Sequence, residues 1–459
     1  MKKKIMLGLL TGVLAISMLA SCGGQGDGKL NIKLGNFPVK ESDPARYQTW
    51  MDYVDQYEKR YPDRSITVDT TSFSDMDQTL ASAAAGVLPD LYGAPYTNAG
   101  LLINSGYARD ITKILEERGY TDTVRPELLE MVKDENGNIC GIPTSGYMMG
   151  VMYNMNLLEE AGLVNEDGTV DYPETFEELS QMAQTITEKT GKPGFGIQTK
   201  DRECGWTFMN VAWNYGVKFM EKGEDGKYTA TFDSQEMIDA LNWIKDLKWN
   251  RKAMSDNMMI DRNELIKMFA TDQVGIMIAA EDFMPRPTKE YGMDKNDIGS
   301  SSIPKGPKGR YSLIGGMVWL LSEDVTDEQA EAIFDWMDLL GYAPVVSQEA
   351  LTNTENDLKA QAESNNLIPP SSFTVFKDEQ RQATIDEIRN KYINVNRKVN
   401  LGYSEADDVV LHMEEPEDAQ QLYQVVTNMI QEILLNENVD IPALVKEAQI
   451  NFQKDSLDK

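Results

Sequence analysis

The chain has 459 residues, 41% hydrophobic and 26% charged, ample for more than one packed domain. Its formal net charge of −30, from 74 acidic against 44 basic residues, repels nucleic acid and anionic lipid head groups, so neither is expected as a partner. A single histidine, His412, excludes His-based metal and triad sites. No phosphate-cradling or paired dinucleotide glycine motif occurs, so neither a metal nor a cofactor is expected.

Residues 1–21 read as a signal peptide. Lys2, Lys3 and Lys4 precede an apolar run from Ile5 to Met18 that is too short to span a bilayer. The run ends in Leu19-Ala20-Ser21-Cys22, followed by Gly23-Gly24, which looks like a bacterial lipobox. That motif implies diacylglyceryl transfer to Cys22 and cleavage before it, with palmitate among the chains. Several chains anchor stably where one does not. Residues 22–28 would then be a lipid-anchored tether. The alternative is a plain secretory signal with a chance cysteine. Loss of the three leader lysines, with no acid, takes the net charge from −30 to −33.

The body opens with alternation at Leu30, Ile32 and Leu34, a strand. A helix follows Pro44, with Tyr47, Trp50, Met51, Val54 and Tyr57 on one face, until Pro62. Ile66–Thr70 reads as a strand, Met76–Ala85 as a helix and Leu88–Tyr92 as a short strand. Strands alternating with helices argue for an α/β sheet with parallel pairing. Between Ile139 and Leu163 two short extended runs, Cys140–Thr144 and Met149–Tyr153, flank Gly146 and Tyr147, and a helix starts at Asn156. The backbone is expected to cross here from one lobe to another.

Beyond the crossing, Thr175 and Glu178 have capping-box spacing ahead of a helix carrying Phe176, Leu179, Met182, Ala183 and Ile186. Phe195–Gln198 reads as a strand and Trp206–Tyr215 as a helix. Asp233 with Glu236 is expected to cap the next helix. Val274–Ala279 is a strand, and Ile303–Gly309 a loop. Asp327–Leu340, Ala419–Leu435 and Pro442–Phe452 have helical periodicity. Cys140 and Cys204 are read as two free, buried thiols. A bridge between them is the alternative, which spacing alone does not establish.

The order of these motifs resembles the family 1 extracellular solute-binding proteins of carbohydrate ABC transporters. The resemblance rests on Gly141-Ile142-Pro143, Tyr153-Asn154, Leu157–Leu163, Gly86–Asp90, Pro304–Gly309 and Gly315-Gly316-Met317-Val318-Trp319-Leu320-Leu321-Ser322. It implies an α/β, two-lobed periplasmic-binding-protein fold of type II-like organisation, with a ligand cleft between lobes joined by hinge crossovers. Residues 29–145 with about 312–350 would form the first lobe, and 146–311 with about 351–459 the second. It also implies a monomer that captures a carbohydrate, probes no chemistry on it, and delivers it to permease subunits. The expected place is the extracytoplasmic face of a cell membrane, on a Gram-positive surface.

A sugar site needs flat rings for apolar C–H faces, and charged or amide groups for hydroxyls. Rings where expected strands or helices meet loops are Phe37, Tyr92, Tyr96, Tyr147, Trp206, Phe283 and Trp319. The polar candidates are Asp90 at a strand end, Arg202 in the cluster Asp201–Glu203, and Glu281 and Asp282. Where the family often carries a Gly-Pro-Trp step, this chain has Ala280-Glu281-Asp282-Phe283, so Phe283 replaces the ring or acids make a polar subsite. Trp50, Trp243, Trp249 and Trp336 lie in helical stripes and read as packing. Other readings are a surface glycan hydrolase, which needs a facing carboxylate pair, and a binder of a peptide or polyamine.

Overall fold

The computed structural model describes residues 28–41, 44–73, 76–371 and 373–459; the leader and Cys22 lie outside them. Eleven strands are present among the described residues: β1 (Leu30–Leu34), β2 (Arg64–Val68), β3 (Leu91–Pro95), β4 (Ile142–Asn154), β5 (Phe195–Gly196), β6 (Met220–Lys222), β7 (Tyr228–Ala230), β8 (Ile276–Ala280), β9 (Ile298–Ser302), β10 (Tyr311–Leu321) and β11 (Val410–His412). β6 and β7 form a separate hairpin. The others make one sheet in the order β2-β1-β3-β10-β4-β8-β5, with β11 added to β10 and β9 to β4. β1 runs parallel to β2 and β3, the expected α/β pairing. β10 is antiparallel to both β3 and β4.

Two hydrophobic cores share this sheet. The first gathers Ile32, Leu34, Leu91, Ile142, Val318 and Leu320 beneath Ile333 and Trp336 of the helix Asp327–Leu339. The second gathers Val151, Tyr153, Phe195, Ile276 and Ile278 against Phe208, Val426 and Ile430. Cys140 lies in the first and Cys204 in the second, and both are free, buried thiols.

The cores are joined by two strands. β4 enters from Ile142 in the first core and reaches the second at Met148, while on β10 Leu313 belongs to the second core and Ile314 to the first. The two expected runs around Gly146 are therefore one continuous strand, because β10 supplies partners throughout: Gly315 opposite Tyr147, Gly316 opposite Gly146, Met317 opposite Ser145. Pairing then jumps to Val318 opposite Pro143, which leaves Thr144 as a bulge, its hydroxyl donating to the Met317 carbonyl at 3.1 Å. A bulge bends and twists a strand, and here it lies at the passage between cores.

Local signals in the sequence fare well where they are short-range. The Thr175–Glu178 capping box is formed in both directions. Asn154 caps the helix Met155–Glu160. Two details differ. The helix Gln235–Lys245 is capped by Ser234, not Asp233. The third strand starts at Leu91 rather than Leu88, since Asp90 is drawn aside by the Lys33 amide. The return to the second core is also more gradual than a boundary near 351. Leu367 packs in the second core, Val375 and Phe376 in the first, and Val395 in the second.

Candidate ligand-binding site

Second-core elements bring together a cluster of rings and charges beside the two-strand passage. Tyr147 projects from β4 over its paired residue Gly315; a Cβ there would lie 2.2 Å from the ring. On the other face a Cβ at Gly146 would lie 2.1 Å from Phe373. Directly opposed residues share a sheet face, so glycines at these positions let rings cover the passage on both sides.

Trp206 is placed by the helix Glu203–Tyr215. Its neighbour Gly205 sits so close to the helix Ala419–Leu435 that a Cβ would fall 2.1 Å from the Tyr423 carbonyl, and its amide donates to Thr427 at 2.9 Å. Trp206 thereby meets the segment leading into that helix. This segment is itself pinned. β11 pairs with β10, His412 stacks on Trp213 with centroids 4.0 Å apart, and the Trp213 indole donates to Glu415 at 2.9 Å. Between these fixed points stands Glu414.

Glu414 is the most perturbed carboxyl of the cluster. Burial pushes it up to about 7, against the opposing effect of the Tyr423 hydroxyl and the Trp206 indole beside it. Those neighbours reach it without full hydrogen bonding: Glu414 Oε2 and the Tyr423 hydroxyl, both buried, lack a partner of good geometry, as does Arg262 Nε. Unpaired buried polar atoms are uncommon and each calls for a reason. Arg262 begins the helix Arg262–Ala270. It pairs with Glu203 at 2.6 Å and lies over the Phe283 ring, 4.7 Å from its centroid. Phe283 lies 6.3 Å from Trp206. Asp282, solvent-exposed on one side, is raised by desolvation from the protein around it while Arg262 and Arg286 hold it down. The Tyr147 hydroxyl is raised first by burial, then by Asp282 and Glu414, with Arg262 opposing. One tyrosine thus senses all three charges.

A family profile described as bacterial extracellular solute-binding protein matches residues 41–337. The chain belongs to that family. Among relatives of this solute-binding protein, a putative binding protein of Brucella abortus is 24% identical over 284 residues, covering 60% of this chain and 66% of the relative, just under two thirds of its length. A putative ABC transporter periplasmic-binding protein of Escherichia coli is 21% identical over 392 residues, 80% of this chain and 85% of the relative. Among solved structures, the cyclic alpha-maltosyl-1,6-maltose binding protein of Arthrobacter globiformis superposes with a TM-score of 0.66 at 19% identity, covering 92% of this chain and 98% of that one. The two-lobed α/β periplasmic-binding-protein fold is accordingly the fold of this solute-binding protein, each core being one lobe.

Within that fold the expected site residues separate into groups. Tyr147, Trp206, Asp282 and Phe283 meet in the cluster. Glu281 starts the turn Glu281–Phe283 and acts on the Tyr403 hydroxyl. Arg202 is exposed, 3.4 Å from Gln420. In the first lobe Phe37 and Tyr92 are 2% and 1% exposed. Phe37 meets Tyr47 and Trp50 edge-on, and the Tyr92 hydroxyl donates to the Tyr107 carbonyl. Tyr96 is also buried. We assign all three to packing. Asp90 accepts from the Lys33 amide at 2.7 Å and from Gln329 at 3.4 Å, a structural tie. Trp319, half-buried against Tyr342 at 5.1 Å, is the first-lobe ring that keeps an accessible edge. Sequence reasoning missed Glu414, Arg262 and Tyr423. The acidic stretch after His412 was visible, but nothing local separates Glu414 from its exposed neighbours.

A polar pocket away from this cluster, about 280 Å³, is lined by Asp171, Glu174, Ser301, Ser302, Arg310 and others. Its groups are already matched: Arg310 binds Glu174 at 2.6 Å, Asp408 at 2.7 Å and the Ile303 carbonyl at 2.6 Å. The Tyr147–Glu414 cluster is the better candidate, because its polar atoms are not.

Proposed function

We propose that this protein captures a carbohydrate, an oligosaccharide, between its lobes and hands it to the permease subunits of an ABC importer, without a cofactor and without cleaving it. The observation that carries the reading is the cluster itself. Tyr147, Trp206 and Phe283 offer ring faces for sugar C–H surfaces, and Glu414, Tyr423 and Arg262 hold unpaired polar atoms beside them. That pairing of surfaces suits a ligand with apolar faces and a hydroxyl rim. Trp319 is assigned to the facing lobe. The sugar named for the Arthrobacter neighbour supports the same class. Lobe closure would pivot on Ser145–Tyr147 and Gly315–Met317, where only two strands pass and Gly316 has a φ of 150° with its Cα side hard against Ser145. Hinges of this kind absorb rotation in few residues. We place the protein as a monomer on the extracytoplasmic membrane face, on a Gram-positive surface, anchored through acylated Cys22.

Thermal unfolding of the chain from Gly23 onward, against oligosaccharides, peptides and polyamines, tests this. A ligand at a hundred times its Kd adds about 2.7 kcal/mol. A midpoint shift with one sugar class, and that sugar recovered uncut, is the expected result. Cleaved sugar would make the protein a hydrolase; a shift with peptides or polyamines alone would end the carbohydrate reading. For the anchor, metabolic labelling with a palmitate analogue should mark the wild-type chain and not Cys22→Ala.

A further inference from the structure

We propose that the second-lobe face of the site selects uncharged sugars over uronates, and that Glu414 is the residue deciding this. The inference rests on the carbohydrate reading above and narrows its substrate class.

The charges around the rings are unequal. Glu203, Asp282 and Glu414 gather near Arg262, with Arg286 also acting on Asp282, and Arg262 already gives Nη2 to Glu203. A carboxylate ligand is gripped best by two parallel guanidinium donors. Here the guanidinium is already engaged with Glu203 through Nη2, so a second carboxylate would have to share its charge. Arg286, the next cation, spends Nε and Nη2 on Glu290 and Nη2 on Asn263. Arg202 points to Gln420 in solvent. A uronate therefore meets carboxylates beside two arginines that already hold acid partners, Arg262 with Glu203 and Arg286 with Glu290.

A neutral sugar meets the opposite situation. Glu414 Oε2 is a buried acceptor without a partner, and the Tyr423 hydroxyl, on a side chain 1% exposed, is a buried donor without one. A sugar hydroxyl donates to the first, and Tyr423, beside the same carboxyl, is placed to donate to its other oxygen. A uronate group ionised at neutral pH has acceptors only and cannot make that bond. Leaving a buried polar atom unmatched is what gives such sites their discrimination against the wrong ligand. Trp206 and Tyr423 flank the carboxyl, and both are positioning residues in this scheme.

The test is isothermal titration at pH 8 with maltotriose, xylotriose, arabinotriose, trigalacturonate and methyl-esterified trigalacturonate, on wild type, Glu414→Gln and Asp282→Asn. We expect a neutral trisaccharide to bind best, with trigalacturonate roughly a hundredfold weaker and its methyl ester closer to the neutral sugars. Glu414→Gln should narrow the neutral-to-acidic gap by about tenfold, and Asp282→Asn by less, as removal of one like charge predicts. Asp282 is exposed, so its variant reports even if Glu414→Gln does not fold. Trigalacturonate as the tightest ligand, equal weakness of trigalacturonate and its ester, or an unchanged gap in the variants overturns charge selection while leaving sugar capture intact. Binding by no saccharide overturns the carbohydrate reading itself, and this inference with it.

Discussion

The two lobes use the same residue types for different ends. In the first, Arg118 binds Glu331 at 2.6 Å, Asp335 at 2.9 Å and Asp338 at 3.1 Å, and Arg64 binds Asp335 at 2.7 Å and the Tyr57 hydroxyl at 3.2 Å. Aromatic rings there, Trp50, Tyr57 and Trp336, pack against one another at 5.9–6.3 Å. In the second lobe, Arg262 has one acid partner and an unpaired Nε, and the rings near it, Phe283 and Trp206 at 6.3 Å from each other, also border Glu414 and Asp282. A closed network of charges holds a structure; an open one has capacity left for a ligand. Counting rings or acids does not distinguish them, because Phe37 and Tyr92 are as aromatic as Trp206. Single unpaired hydroxyls also occur in the first lobe, at Tyr96 and Tyr120, but they do not converge on an ionisable partner left equally unmatched.

The sharpest way to break this contrast is to truncate one ring in each lobe. Trp336→Ala should cost about 3–5 kcal/mol, the usual penalty for emptying a fully buried aromatic site, and lower the unfolding midpoint. Sugar affinity of the protein that remains folded should stay near wild type. Trp206→Ala should do the reverse, with a small midpoint change and loss of most of the affinity. A large stability loss in the second variant would place Trp206 with the packing rings.

Next in size is Glu414→Gln. A carboxyl raised to about 7 in the folded protein, from the ordinary 4.5 of a glutamate, holds its proton where the unfolded chain has released it. Stability therefore falls as pH rises from 4.5 to 7, and the full penalty is present above 7. The glutamine variant should be more stable than wild type by on the order of 2–3 kcal/mol at pH 8. The difference should vanish near pH 4, where both states are protonated. Midpoints measured across that range check it, and a variant less stable at pH 8 would show that the carboxylate is satisfied after all.

Asp335→Asn should cost roughly 1–3 kcal/mol, since it leaves Arg118 and Arg64 short of a shared, largely buried partner, and it should not touch affinity. The smallest effect belongs to Glu203→Gln. Its pair with Arg262 is a third exposed on both sides, so stability should change by less than about 1 kcal/mol. Affinity for an uncharged sugar should nevertheless alter, because Arg262 is released beside Phe283. Titration calorimetry of the two variants side by side separates the lobes' uses of arginine.

Much of this was legible before any coordinates. Thr175 and Glu178 announce a cap within four residues of each other. Leu30, Ile32 and Leu34 announce a strand by alternation, and the helix Ala419–Leu435 by its stripe. Tyr147, Trp206, Asp282 and Phe283, which meet in the cluster, were singled out because an expected strand or helix meets a loop at or near each of them. The same rule failed for Phe37 and Tyr92, which also lie near strand ends but face inward under the helix Pro44–Arg60 and beside Phe73.

What the sequence determined by itself is local and periodic: the alternation of strands and helices, the caps, the thiols placed in separate stretches, and the order of motifs that marks the family. Period and capping depend on neighbours within a few residues, and these are written side by side. Only the tertiary structure decided that β4 continues through Gly146, since β10, far along the chain, supplies its partners. It alone decided that Glu414 stands between Trp206 and Tyr423, because burial and the charges around a carboxyl depend on distances in space that no local spacing encodes.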